Sequence, residues 1–271
     1  MTEIYFLIVG FLLVLAVFDL FVGVSNDAVN FLNSAIGAKV ATFRTVLFVA
    51  SVGILIGAVM SAGMMDVARH GIMRPESYSF SEVMTIFLAV MVTDVVILDI
   101  FNTLGLPTST TVSLVFELLG GTFILAMLKM AADPSLTIYD LLNSDKALSV
   151  IIAIFVSVAI AFFFGVIVQW ISRLIFTFNY KKHLRYTIAI FGGIAFTSLA
   201  YFIFITGIGT SPYISEASRT WIEANTTMLM AVTFVGSTVL MEILHLLRVN
   251  VFKLIVLAGT FALAMAFAGN D

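Results

Sequence analysis

The chain has 271 residues, of which 61% are apolar and only 11% charged, with a net charge of −3 and no cysteine. A soluble domain carries about a quarter charged residues, so a single water-facing core cannot absorb this much apolar surface. The acidic balance, with no basic stripe, argues against a nucleic-acid partner, and the lack of cysteine excludes disulfides, thiol catalysis and zinc–thiolate sites.

Eight hydrophobic segments follow in chain order, at roughly Ile4–Val24, Phe43–Met65, Val83–Leu104, Thr108–Met130, Leu148–Thr177, Tyr186–Ile208, Ala224–Leu246 and Asn250–Ala268. Leu148–Ser172, Thr187–Ser215, Ala224–Met241 and Leu254–Asn270 hold no Asp, Glu, Lys or Arg, and each is near or above the ~18 residues a spanning helix needs. Only helices and closed barrels satisfy their backbone in lipid, and barrel strands alternate every second residue. These runs do not alternate. The predicted fold class is therefore all-α, a polytopic transmembrane helical bundle.

The first segment lacks a basic n-region and a cleavage site, so it reads as a retained span rather than a signal peptide. By the positive-inside rule, Arg173, Lys181, Lys182 and Arg185 face the cytoplasm, Gly209–Glu223 lies outside, and Arg248 and Lys253 lie inside again. Arg69 and Arg74 also prefer the inside. That leaves open whether Val83–Met130 crosses twice or re-enters as a hairpin, and with it the side of the N-terminus. Trp170 and Trp221 sit near span ends, as interfacial anchors do. The three histidines, His70, His183 and His245, lie in charged loops or at a span end and form no metal-ligand spacing.

Two stretches do not belong in lipid. The first, Phe18–Thr42, turns polar at membrane depth. On a helix, Asp19, Gly23, Asn26, Asn30, Asn33 and Gly37 form one stripe, with Asp27 beside it. Such a stripe must face protein or water. One reading is helix–helix glue, with amides bonding across an interface and glycines allowing close approach. The other is an oxygen cage in which carboxylate and amides hold a hard cation.

The second is Thr103–Gly121, where Gly105 and Pro107 interrupt two apolar helices. Pro107 biases Leu106 away from helical geometry. Thr108, Ser109, Thr110 and Thr111 then precede a new helix, in the N-cap and first-turn positions Ser and Thr favour. The first turn of a helix offers unpaired N–H groups and a partial positive charge, and hydroxyls add donors. At membrane depth that is an anion site; the bland alternative is a capped turn between spans. Glu117 shares a face with Thr110 and Ser113. Asp94 and Asp99 lie inside the preceding helix, with Asn102 and Thr103 on the Asp99 side. Intramembrane carboxylates are functional candidates by default, so Glu117, Asp94 and Asp99 are candidates for proton or ion coupling. Asp94 and Asp99 read equally as structural partners of Lys39 or Arg44.

The chain end, Ala268-Gly269-Asn270-Asp271, echoes Val24-Ser25-Asn26-Asp27: each puts an Asn-Asp pair after a small residue at the far end of an apolar helix. Transporters are often built from such repeats.

With these residues the chain resembles the inorganic phosphate transporter (PiT) family. That family carries a duplicated motif of a small residue followed by Asn-Asp-x-x-Asn, then glycines and a Thr. Ser25, Asn26, Asp27, Asn30, Gly37 and Thr42 are similar to the first copy, and Ala268, Gly269, Asn270 and Asp271 to the opening of the second. The family's Gly-Leu-Pro-x-Ser-Thr-Thr turn is matched by Gly105, Leu106, Pro107, Ser109, Thr110 and Thr111. The resemblance covers the whole chain in layout and about thirty residues in motif.

What the resemblance implies is an inverted-repeat carrier with broken helices and a helical hairpin, working by alternating access. It would move inorganic phosphate across the cell (inner) membrane as a multi-pass protein, driven by sodium or protons, with no cofactor beyond the coupling ion and no enzymatic step. A homodimer is kept as one option for its assembly. By position, Ser109, Thr110, Thr111 and Asn26 would hold phosphate, and Asp27, Asn30, Asn270 and Asp271 would hold the metal ion. Residues 1–147 would form the first repeat, 148–249 intervening helices, and 250–271 the start of a second. A chain ending there is expected not to transport alone. Val112 stands where the family often has His, and Phe116 and Glu117 where it has small residues. These departures leave the coupling ion open and keep sulfate as an alternative anion. An ion channel lined by the Asp19–Asn33 stripe is the competing class.

Overall fold

The computed structural model describes residues 2–60, 71–176, 180–208 and 214–270. In chain order the helices are α1 (Thr2–Gly37), α2 (Phe43–Met60), α3 (Phe80–Leu104), α4 (Thr110–Ala132), the short α5 (Ile138–Leu141), α6 (Ser144–Ile175), α7 (Tyr180–Ala200), α8 (Glu216–Ala224), α9 (Thr226–Leu246) and α10 (Val251–Asn270). A 3₁₀ turn at Pro75–Ser77 precedes α3, and α7 continues as a π-helical stretch, Tyr201–Ile208. Among the described residues β structure is limited to an isolated bridge between Met73 and Leu142.

Eight of these helices are long and apolar enough to cross a membrane: Ile4–Gly37, Phe43–Met60, Phe80–Leu104, Thr110–Ala132, Ser144–Ile175, Thr187–Phe204, Thr226–Leu246 and Val251–Gly269. They match the eight segments expected from hydropathy. At ~1.5 Å per residue, α3 and α4 are each roughly 35 Å long, comparable to the ~30 Å hydrocarbon layer. Phe155, Phe162, Phe163, Phe164 and Trp170 of α6 are all exposed. That is where an apolar helix meets lipid.

The chain divides into two compact units. The first comprises Met1–Asn30, Gly63–Ser157 and Asn270–Asp271; the second comprises Phe31–Ala62 and Val158–Gly269. In the first unit, α3 and α4 form an antiparallel hairpin. Its core joins Ile86 and Val90 of α3 to Val115, Leu118 and Ala126 of α4, closed at one end by Ile72, Met73, Tyr78 and Leu141. That end is tied by polar contacts. Ser79 and Glu82 form a capping box at the start of α3, and Lys129 of α4 reaches back to Glu82 at 3.0 Å and to the Ser77 carbonyl at 2.9 Å.

The second unit packs through glycine. A Cβ at Gly53 of α2 would lie 2.5 Å from the Phe261 carbonyl oxygen of α10, and one at Gly192 of α7 would lie 2.6 Å from Met241 Cγ of α9. A residue without a side chain lets the α2 and α10 backbones approach at Gly53 and makes room for the Met241 side chain at Gly192. Phe176, Phe191 and Phe252 stack edge-on beside the α7–α9 contact.

Candidate functional site

The polar stretches of the first unit converge at the open end of the α3–α4 hairpin. The local sequence dictates the turn. Gly105 adopts φ 68°, the left-handed conformation that favours glycine. Its N–H donates to the Asn102 carbonyl at 3.1 Å and the Leu106 N–H donates to the Phe101 carbonyl at 2.9 Å, which terminates α3. Pro107 carries the chain across, and Ser109 caps α4 by accepting from the Val112 N–H at 3.3 Å.

Asn26 holds this turn in place. Its side-chain amide donates to Asn102 Oδ1 at 2.8 Å and to the Leu106 carbonyl at 3.2 Å, while its Oδ1 accepts from the Thr108 N–H at 2.7 Å. Asn102 in turn donates to the Val22 carbonyl of α1 at 2.9 Å. One side chain thus joins α1, the end of α3 and the turn into α4, and it is 5% exposed. Gly23, one turn earlier, lets Thr110 approach: a Cβ there would sit 3.3 Å from Thr110 Cγ2. The result is a hydroxyl-bearing helix tip fixed against α1. Ser109 is exposed, and Thr110 and Thr111 are half-buried. Ser109 Oγ uses a lone pair in the cap and keeps its O–H to donate.

The polar face of α1 is not uniform. Its helix runs unbroken through the Asn-Asp stretch. Gly23 and Asn26 are buried, whereas Asn30, Asn33 and Gly37 of the same stripe are exposed. The hairpin reaches only as far as Asn26, and beyond Asn30 the buried positions become Phe31 and Ala35. Asp27 is 1% exposed, and its Oδ1 lies 3.4 Å from Asn30 Nδ2. Among the other coupling candidates, Asp94 is buried, Glu117 is half-buried and bonded to Ser113 Oγ at 2.9 Å, and Asp99 is exposed. The Asn270 side chain and Asp271 lie outside the described residues.

Asn102 is the residue that sequence reasoning underweighted. An amide inside an apolar span is itself the signal, and its position three residues before the helix-ending Gly105 puts it on the turn.

The architecture and motifs agree with known proteins. The family model "Phosphate transporter family" matches residues 23–271. Comparison with curated protein sequences gives no match. Among solved structures, one described as "The sodium-dependent phosphate transporter" superposes with a TM-score of 0.55 at 18% identity, over 96% of this chain and 76% of its own. At that identity the likeness speaks for the fold. The family match runs through the Asn26–Asp27 stretch, the hydroxyl-rich turn and the closing Asn-Asp, and on that extent the chain belongs to the phosphate transporter family.

Proposed function

We propose that this protein is a secondary active carrier that moves inorganic phosphate across a membrane by alternating access, coupled to sodium or protons. The observation that carries this reading is the α4 tip, where Ser109, Thr110 and Thr111 begin a helix that Asn26 fixes in place. Phosphate docks there on first-turn N–H groups and hydroxyls. The helix dipole offsets part of its charge, and no buried cationic side chain is required. In this reading Asn26 positions the tip rather than contacting the anion, because its amide is already committed to α3 and the turn.

Asp27, buried beside Asn30, is the cation ligand of this scheme. The structural neighbour is described as sodium-dependent, and a buried carboxylate suits a hard cation such as sodium. A cation at Asp27 neutralises a buried charge and raises the local affinity for an anion, so each solute favours binding of the other.

Radiolabelled phosphate uptake by the full-length protein in proteoliposomes tests this, with Asp27→Asn and Thr110→Val beside the wild type and excess sulfate as competitor. Uptake falls at least tenfold in each variant and resists sulfate. Unchanged uptake in both variants would sink the site assignment, and equal competition by sulfate would make the substrate a broader class of tetrahedral oxyanions.

A further inference from the structure

Two side-chain amides meet at the turn between α3 and α4, and backbone groups of fixed polarity decide which way each one faces. The Thr108 N–H can only donate, so the Asn26 atom 2.7 Å from it is the oxygen, Oδ1. The Leu106 carbonyl can only accept, so Asn26 Nδ2 faces it at 3.2 Å. On α1 the Val22 carbonyl likewise accepts, and Asn102 turns its Nδ2 to it at 2.9 Å. Asn102 Oδ1 is thereby left facing Asn26 Nδ2, at 2.8 Å. Turning either amide over would set donor against donor and acceptor against acceptor.

The two amides act at different places. Asn26 bonds to the turn itself, whereas Asn102 bonds to Asn26 and to the α1 backbone one helical turn earlier. The terminal torsion of an asparagine is broad and roughly two-fold. Without the Asn102 oxygen, the Asn26 amide would be free to rotate and present its NH2 group to the Thr108 N–H. Water is a poor replacement there, because Asn26 is 5% and Val22 7% exposed. Asn102 is itself anchored: its backbone carbonyl accepts from the Gly105 N–H at 3.1 Å. The residue at which α3 closes therefore also orients the side chain that holds the turn.

We propose that Asn102 is a positioning residue for phosphate recognition: by fixing the Asn26 amide, it holds the turn from Gly105 to Ser109 in its binding conformation before phosphate arrives. This rests on the carrier reading above and adds to it a residue that does not touch the anion. The turn needs such support, since Gly105, Leu106, Pro107 and Ser109 are all exposed and only its contact with Asn26 is buried. A tip that becomes ordered only on binding subtracts the ordering entropy from phosphate affinity, and a tip ordered in advance does not. Removing the Asn102 side chain therefore weakens phosphate binding without removing a contact to phosphate.

The test uses the full-length protein in detergent and Asn102→Leu, which is nearly isosteric and makes no side-chain hydrogen bond. Phosphate affinity, read by equilibrium dialysis, falls about tenfold. Backbone hydrogen exchange rises across residues 105–109, while residues 115–126 in the body of α4 exchange as in wild type. Saturating phosphate removes the difference at residues 105–109. A general loss of stability gives another pattern, with exchange raised along the whole hairpin. That pattern, or unaltered affinity in a folded variant, would overturn the proposal. Wild type alone decides the case in which the variant does not fold. Without phosphate its Thr108 N–H exchanges slowly, because Asn26 already holds it. A Thr108 N–H that exchanges as in an unfolded chain until phosphate is added overturns the proposal as well. Failure of wild type to bind phosphate at all would instead defeat the carrier reading on which the proposal rests.

Discussion

Two polar clusters sit on the same hairpin and differ in one respect. Around Asn26, every side-chain group has a partner: both amide protons donate, the oxygen accepts, and Asn102 passes the connection back to α1. Around Asp94 and Glu117, oxygens are buried without donors. Both are buried within the protein, where an unmet polar group costs about 1–3 kcal/mol. A saturated cluster is scaffold, since a ligand could enter only by displacing bonds already made. An unsaturated one keeps the capacity to accept a further hydrogen bond.

The comparison can be broken at its saturated half. Asn26→Leu keeps the volume but strands the Thr108 N–H, Asn102 Oδ1 and the Leu106 carbonyl. At about 1–3 kcal/mol for each stranded group, the variant loses at least 3 kcal/mol by thermal or denaturant unfolding in detergent. It also loses phosphate binding, because the α4 tip is no longer held. A loss under about 1 kcal/mol would mean that Asn26 is not the fastener.

A smaller effect sharpens the boundary between the halves. Ser109 both caps α4 and offers a free O–H. Ser109→Ala removes the cap, at about 1 kcal/mol, and one donor to a charged ligand. Phosphate affinity measured by equilibrium dialysis falls about tenfold. A variant with the stability loss but unaltered affinity would make Ser109 pure scaffold.

The smallest effect comes from a polar group that neither cluster uses. The Tyr78 hydroxyl, at the closed end of the hairpin, is buried without a partner, while its ring lies 5.1 Å beneath Lys129 Nζ. Burial, and then the charge of Glu82, push its phenol up to about 12. Folding therefore favours the neutral phenol. That contribution is complete below the ordinary tyrosine value of about 10 and is lost as pH climbs through about 12. Tyr78→Phe keeps the ring and changes stability by less than about 0.5 kcal/mol at neutral pH. A tyrosinate absorbance that appears near pH 12 in an alkaline titration vanishes with it.

Much of this was legible in the residues, for physical reasons that vary by element. The spans declared themselves because lipid tolerates no charge, so runs such as Leu148–Ser172 and Ala224–Met241 could hardly be anything else. The turn between α3 and α4 was legible because Gly105 and Pro107 restrict the backbone locally. The buried half of the α1 stripe, Gly23 and Asn26, followed from helical spacing. Its exposed half did not, because spacing gives a face but not how far the neighbouring helix extends along it. The pairing of Asn26 with Asn102 spans 76 residues. Such facts belong to the packing of helices and leave no local mark in sequence.

The length of α1 has a mechanical consequence. Thr2–Gly37 is one uninterrupted rod, roughly 54 Å long at helical rise and well beyond the thickness of the acyl layer. It is pinned to the hairpin at Val22 and Asn26, which leaves an arm of about 30 Å or more ahead of the pivot. Rotation about that pivot moves the first turn by about half an ångström per degree. A tilt of a few degrees at that pivot would thereby be geared up into an ångström or more at the far end of the arm.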